Sequence, residues 1–169
     1  MAFPPHTPCP SLPSPWSPPP VGELKLNDDV AIKPDSSMVD AGTVVRDRNI
    51  LVVVALAKPL WGFFNSELGE LLAIREGLLF AKSLKLFVSW VEVEASSVVA
   101  RLQSSSSSCL ADPIVCNIKA LFKDVEVSNC LSIPRSRNVV AHSLTSLAFS
   151  SKEERTWFDP KLVFLVDLL

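Results

Sequence analysis

The stretch ELKLNDDVA, residues 23–31, decides the reading of this chain. Its side chains alternate: Leu24, Leu26, Asp28 and Val30 fall on one face, and Lys25, Asn27, Asp29 and Ala31 on the other. This is the period of a β-strand, and it separates two adjacent aspartates. Asp28 falls on the apolar face, where a carboxylate has to be neutralised, paired or displaced at a cost of several kcal/mol. Asp29 faces the other way and is the better candidate for chemistry.

Working outward, AGTVVRD (41–47) and ILVVVALA (50–57) read as two further strands joined by Arg48 and Asn49, giving a three-stranded antiparallel meander. NSELGELLAIREGLLFAKSLK (65–85) carries its apolar residues at helical spacing and is expected to be the longest helix. LFVSWVEVE (86–94) returns to a strand and SSVVARLQ (96–103) to a short helix. After the serine run at 104–108, ADPIVCNIKALFKDV (111–125) is a helix with Pro113 in its first turn. VEVSNCLSIP (125–134) is a last strand. NVVAHSLTSLAF (138–149) is a last helix, with Asn138 as its expected cap. A meander that feeds helix-separated strands predicts an α/β fold of three layers, a five-stranded mixed sheet with helices on both faces.

Nine of the 14 prolines fall in the first twenty residues, so residues 1–22 are expected to be a disordered, proline-rich tail. The domain is assigned to 23–150, and 151–169 to a C-terminal extension. At 169 residues the chain can build one core of ordinary size, and 48% apolar against 20% charged residues exclude wholesale disorder. The net charge of −2 does not by itself propose a nucleic-acid binder. Cys9, Cys109, Cys116 and Cys130 show no CxxC spacing and there are only two histidines, so neither a zinc site nor a disulfide framework is indicated. With no secretory signal pattern and no long apolar run, the expectation is a soluble intracellular protein without a membrane span.

Four positions then draw attention. Besides Asp29, Glu70 lies at the edge of the helical stripe formed by Glu67, Ile74, Leu78 and Ala81, all within about 80° of arc. Glu94 closes the WVEVE strand, at the end where open α/β sheets place ligand sites. His142 sits one turn inside the last helix. On spacing alone each of these three is more often a solvated surface residue than a functional one, and their order along the chain is more informative than any one of them.

That order, together with four segments, resembles the ribonuclease H domains of plant reverse-transcriptase-like proteins and non-LTR retrotransposons. WSPPPVGELKLNDDVA resembles the lead-in W-x-P-P-x-G-x-x-K-x-N-V-D-G-A, and AGTVVRD resembles A-G-x-G-x-V-x-R-D. GELLAIREGLLFA resembles A-E-x-x-A-L-x-E-G-L-x-x-A, and IPRSRNVVAHSLTSLA resembles V-P-R-x-x-N-x-x-A-H-x-L-A-x-x-A. Each is weak alone; four in register, over residues 16–169, are specific.

The resemblance implies a ribonuclease H-like fold and an endonuclease that hydrolyses the RNA strand of an RNA–DNA hybrid. Two magnesium (or manganese) ions would be held by clustered carboxylates, about 4 Å apart. It places the first aspartate on Asp29, the helix glutamate on Glu70 and the histidine of the last motif on His142. The third carboxylate falls on Glu94 where the family has aspartate; a rival register puts Ser96 there. The resemblance thus implies Asp29, Glu70 and Glu94 as metal ligands and His142 as an auxiliary catalytic group, in a monomer that takes nucleic acid and no small-molecule cofactor. Asp28 where the family has valine, Val30 where it has glycine, and Asn49 at the turn glycine are departures. The alternative implied by them is a catalytically silent nucleic-acid-binding or interaction domain derived from a retrotransposon.

Overall fold

A computed structural model of the chain describes residues 15–32, 37–105 and 112–158. The alternation of residues 23–31 becomes strand β1 (Lys25–Ile32), followed by β2 (Met38–Arg46) and β3 (Val52–Trp61) in an antiparallel meander. Helix α1 (Ser66–Ser83) follows. Strand β4 (Trp90–Val93) then runs parallel to β1, and β5 (Asn129–Ser132) runs parallel to β4 beyond helices α2 (Ser96–Gln103) and α3 (Pro113–Asp124). A 3-10 turn (Arg135–Arg137) leads into α4 (Val139–Ser151). The sheet order is β5-β4-β1-β2-β3-β6. The sixth strand, β6 (Arg155–Trp157), was not expected. It comes from the segment read as an extension and pairs antiparallel with β3, covering what would be an open sheet edge.

Local chemistry explains the element ends. Asn65 caps α1 by accepting from the Leu68 N–H at 2.8 Å, and Asp112 caps α3 with Pro113 next to it. The meander strands are longer than the sequence suggested, β2 starting at Met38 and β3 running to Trp61, because they keep pairing beyond their apolar stretches. Strand β4 is shorter, since residues 86–89 serve as a link pinned by the Val88 N–H to Val125 O at 2.8 Å.

Two cores sandwich the sheet. One, with Leu26, Leu71, Ile74, Leu78, Val91 and Ile118, lies under α1, α2 and α3; the other, with Val44, Ala55, Ala141 and Leu144, lies under α4. Close helix approach depends on two glycines. A Cβ on Gly42 would strike Ala141 O and come within 2.7 Å of Thr145 N on α4, and one on Gly77 would meet Thr43 Oγ1 at 2.8 Å. In the β1–β2 register Asp29 lies opposite Gly42 and Asp28 opposite Thr43. The two aspartates are therefore sent to opposite layers, Asp29 toward α4 and Asp28 toward α1.

The proline-rich segment requires a correction. The part of the expected tail up to residue 14 lies outside the described residues, but Trp16 to Pro20 are docked on the α4 side of the sheet. Trp16 Nε1 donates to Glu92 Oε2 at 2.9 Å, and its ring stacks on the Arg46 guanidinium, 3.5 Å from ring centroid to Cζ. Lys25 Nζ donates to Ser17 O at 2.8 Å and to Glu92 Oε1 at 2.7 Å; Asn27 links Glu92 to Arg46. Tryptophan supplies here the apolar cover that prolines alone could not, over a buried ion network. A further difference concerns the β2–β3 turn. Asn49 was read as the residue replacing a turn glycine, yet the left-handed conformation falls on Ile50, φ 67°. Cys130 is a buried free thiol. Among the described residues no helix is long and apolar enough to cross a membrane.

Candidate active site

The parallel pairing of β1 and β4 ends at Asn27 and Glu92. Two residues further on, where the strand ends part, stand Asp29 and Glu94, on the face that α4 covers. Glu70 reaches the same region from the second turn of α1. The three carboxylates are close enough to repel one another. Burial first, then the charges of Asp29 and Glu94, push the Glu70 carboxyl up to about 7. Glu94 is raised by burial and by Asp29, and partly relieved by Asn138, Arg135 and His142. Asp29, 6% exposed, is paired: His142 Nδ1 lies 2.9 Å from its Oδ2. The other imidazole nitrogen, Nε2, lies 2.6 Å from Arg135 Nη2, which can only donate. The same Arg135 nitrogen lies 3.0 Å from Nδ1, so the guanidinium sits against both ring nitrogens of His142.

The four positions singled out in the sequence thus meet in one place. Two contributors were missed. Asn138 is at the N-cap position of α4 but makes no side-chain cap bond. Fully buried, it donates Nδ2 to the Asp28 carbonyl at 2.9 Å and to Glu94 Oε1 at 3.4 Å, so it ties α4 and Glu94 to the backbone beside Asp29. Arg135 lies seven residues before His142, a separation that carries no helical signal across a 3-10 turn, and its role shows only in three dimensions.

Asp28, the neighbour of Asp29, takes no part. It is 1% exposed, accepts from Thr43 Oγ1 at 2.6 Å on one oxygen, and leaves Oδ2 without a partner. Burial raises its carboxyl well above the usual range, and the charges of Glu70 and Asp29 add to this. It belongs to the α1 layer, on the other face of the sheet from His142. Glu92, the carboxylate two residues before Glu94, is committed to Lys25, Asn27 and Trp16. That leaves Glu94 as the carboxylate this strand offers to the site, and Ser96 is the first residue of α2.

The donor set suits a hard divalent cation: three carboxylates, with burial and like charge opposing full ionisation of Glu70 and Glu94 in the absence of a cation. As the side chains stand, no group of three or more His, Cys, Asp and Glu among the described residues is arranged to hold a metal ion, and one Asp29 oxygen is engaged by His142. The chemistry fits a cation, and ligation would require these side chains to turn inward.

The sequence from residue 27 to 148, nearly all of the structure from β1 through α4, matches the reverse transcriptase-like family. The chain belongs to that family. Among solved structures it is similar to ribonuclease H1 from the archaeon Halobacterium salinarum, at 16% identity over 76% of this chain and 98% of that one, TM-score 0.65. It is also similar to LC11-RNase H1, isolated from compost and solved in complex with an RNA/DNA hybrid, at 16% identity, 77% and 99% coverage and TM-score 0.66. A third is the foamy viral protease-reverse transcriptase in complex with double-stranded DNA, at 13% identity, 77% and 94% coverage and TM-score 0.56. No curated protein matches the sequence. At these identities the solved structures establish the fold: this member of the reverse transcriptase-like family has the ribonuclease H-like architecture, with a sixth strand added to the expected five.

Proposed function

We propose that the domain is an RNA–DNA hybrid ribonuclease of the ribonuclease H type, from a branch related to non-LTR retrotransposons and acting as a single chain. The observation that carries this reading is the gathering of Asp29, Glu70 and Glu94 where β1 and β4 diverge, close enough that burial and then the charges of the other two raise the Glu70 carboxyl to about 7. LC11-RNase H1, of similar fold, was solved with a hybrid bound, which supports the substrate class.

Asp29, Glu70 and Glu94 would hold magnesium or manganese. Bound there, the ions would polarise the scissile phosphate and lower the pKa of an attacking water. The chain's own residues supply the rest. With its carboxyl raised to about 7, Glu70 is about half protonated near neutral pH, and a bound cation would favour its charged form. His142 orients Asp29 through Nδ1, and its Nε2 can accept a proton once Arg135 turns to a phosphate oxygen. Asn138 anchors Glu94, whose side chain is one methylene longer than aspartate. A misplacement near 1 Å costs on the order of a hundredfold in rate, so Glu94 sets how fast this enzyme runs.

A second reading, a silent nucleic-acid-binding domain, is favoured by the third carboxylate, Glu94 where the family has aspartate. The discriminating experiment is cleavage of a labelled RNA–DNA hybrid with magnesium or manganese, by the protein and by Glu94→Asp. The ribonuclease reading expects weak cutting that Glu94→Asp raises about tenfold or more; binding without cutting by either protein favours the silent domain.

A further inference from the structure

The two edges of the sheet end differently. At one, β6 covers β3; at the other, β5 has β4 on its inner side and no further strand among the described residues. Strand β5 turns alternate peptide groups outward. The Asn129 N–H goes to Ser89 O at 3.0 Å and the Ile133 N–H to Val93 O at 2.8 Å, so the odd-numbered residues bond inward. Cys130 and Ser132 therefore present their N–H and C=O groups to the outside. The Cys130 carbonyl accepts from Gln103 Nε2 at 2.9 Å. The Cys130 N–H and both backbone groups of Ser132 have no partner among the described residues. Edge strands are commonly guarded by a charged side chain, a proline or a bulge, and the strand Asn-Cys-Leu-Ser carries none of these.

Beside this edge the ends of α2 and α3 leave a cavity of about 230 Å³, walled by Leu102, Gln103, Phe122, Val127, Cys130 and Leu131. Leu102, Phe122, Val127 and Cys130 belong to the core under α1, α2 and α3, so the cavity lies in that layer. A strand added outside β5 would point every second side chain into the same layer.

We propose that β5 receives an extended peptide of a partner protein as a seventh strand, with one large apolar side chain of that peptide seated in this cavity. The chemistry of the edge selects the occupant. Outward N–H and C=O groups are matched by another extended backbone, and an uncharged apolar cavity by leucine, isoleucine or phenylalanine. A helix, its backbone bonded internally, could fill the cavity but would leave the edge unpaired. Strands β5 and β4 stand between the added strand and β1, and the cavity is on the face of the sheet away from α4. The carboxylate cluster thus stays open while the domain is attached to its partner, whatever chemistry that cluster performs.

The test uses the full ¹⁵N-labelled chain and a fluorescein-labelled threonine-rich peptide with a single central leucine. Amide hydrogen exchange read by NMR is expected to slow several-fold at Cys130 and Ser132 when the peptide is added. It should stay unchanged at Asn129 and Ile133, whose N–H groups are already bonded. By anisotropy, the same peptide with serine in place of leucine should bind about tenfold more weakly or worse. Ser132→Pro, which removes an outward N–H from an edge strand, should weaken binding by about tenfold, whereas Ser132→Ala keeps the N–H and should bind as the parent does. Binding without slower exchange at Cys130 and Ser132 would overturn the proposal, as would no binding at millimolar peptide, equal affinity for the serine peptide, or parental affinity in a folded Ser132→Pro. Sedimentation of the chain as a dimer that Ser132→Pro dissociates would also overturn it, by giving the edge to a second copy.

Discussion

Two adjacent carboxylates on one strand have opposite fates because a strand sends neighbours to opposite faces. Asp29 points to α4 and meets His142; Asp28 points to α1 and meets Thr43 with one oxygen unpartnered. Asp28→Val removes a buried acid without opening a large void, and we expect it to raise the stability by about 1–3 kcal/mol, measured by denaturant unfolding. Lower stability in the variant would show that Asp28 is a needed part of the α1 layer. Glu70 gives a pH prediction. A carboxyl raised in the folded state binds its proton more tightly there than in the unfolded chain, so its stabilising effect is present below about pH 4.5 and is lost as pH rises through 7. The protein should therefore melt at a higher temperature at pH 5 than at pH 8, with Glu70 alone worth up to about 3 kcal/mol. Glu70→Gln should flatten that dependence. Added magnesium should raise the melting temperature more at pH 8 than at pH 5, and not in Glu70→Gln. Alternation along β1 set Asp29 apart from Asp28, whereas Glu70 was legible through the family motif, since helical spacing alone read it as a surface residue. The role of Asn138 was not, because a residue before a helix is read as a cap unless its surroundings are known.

Helices, strands and their order were legible because each apolar period is long enough to be distinctive, as in α1 and the meander. Element ends depended on pairing that lies far away in sequence. Strand β6 has only three residues and forms because β3 offers an edge, so no local pattern announces it. The same limit applied to the β2–β3 turn, where strain sits on Ile50 rather than Asn49. A β-branched residue at positive φ is costly, and Ile50→Gly should gain about 1 kcal/mol in thermal or chemical unfolding. A loss would mean that the apolar wall Ile50 lends to the cavity it lines with Trp16 outweighs the strain. Gly42 works in the other direction. Gly42→Ala drives a Cβ into the α4 backbone and is expected to cost about 3 kcal/mol, with the loss of the Asp29–His142 pairing visible in the histidine NMR signals.

At the scale of the whole molecule, the domain begins before its first strand. Trp16 closes the buried network of Lys25, Asn27, Arg46 and Glu92, on the strand that two residues later presents Glu94. Composition concealed this, since a proline-rich segment reads as solvated and one tryptophan carries the contact. A chain starting at Gly22 should unfold about 2 kcal/mol more easily than one starting at Pro15, and Trp16→Ala should account for most of the difference. The central claim is that the divergence of β1 and β4 gathers carboxylates that cut RNA. Its most direct test is end-group analysis of a labelled RNA–DNA hybrid incubated with the protein and manganese, beside Asp29→Asn. The account predicts fragments of the RNA strand bearing 5′ phosphate and 3′ hydroxyl ends, lost in Asp29→Asn. An intact RNA strand with both proteins cooperatively folded, or equal cutting by both, would contradict it.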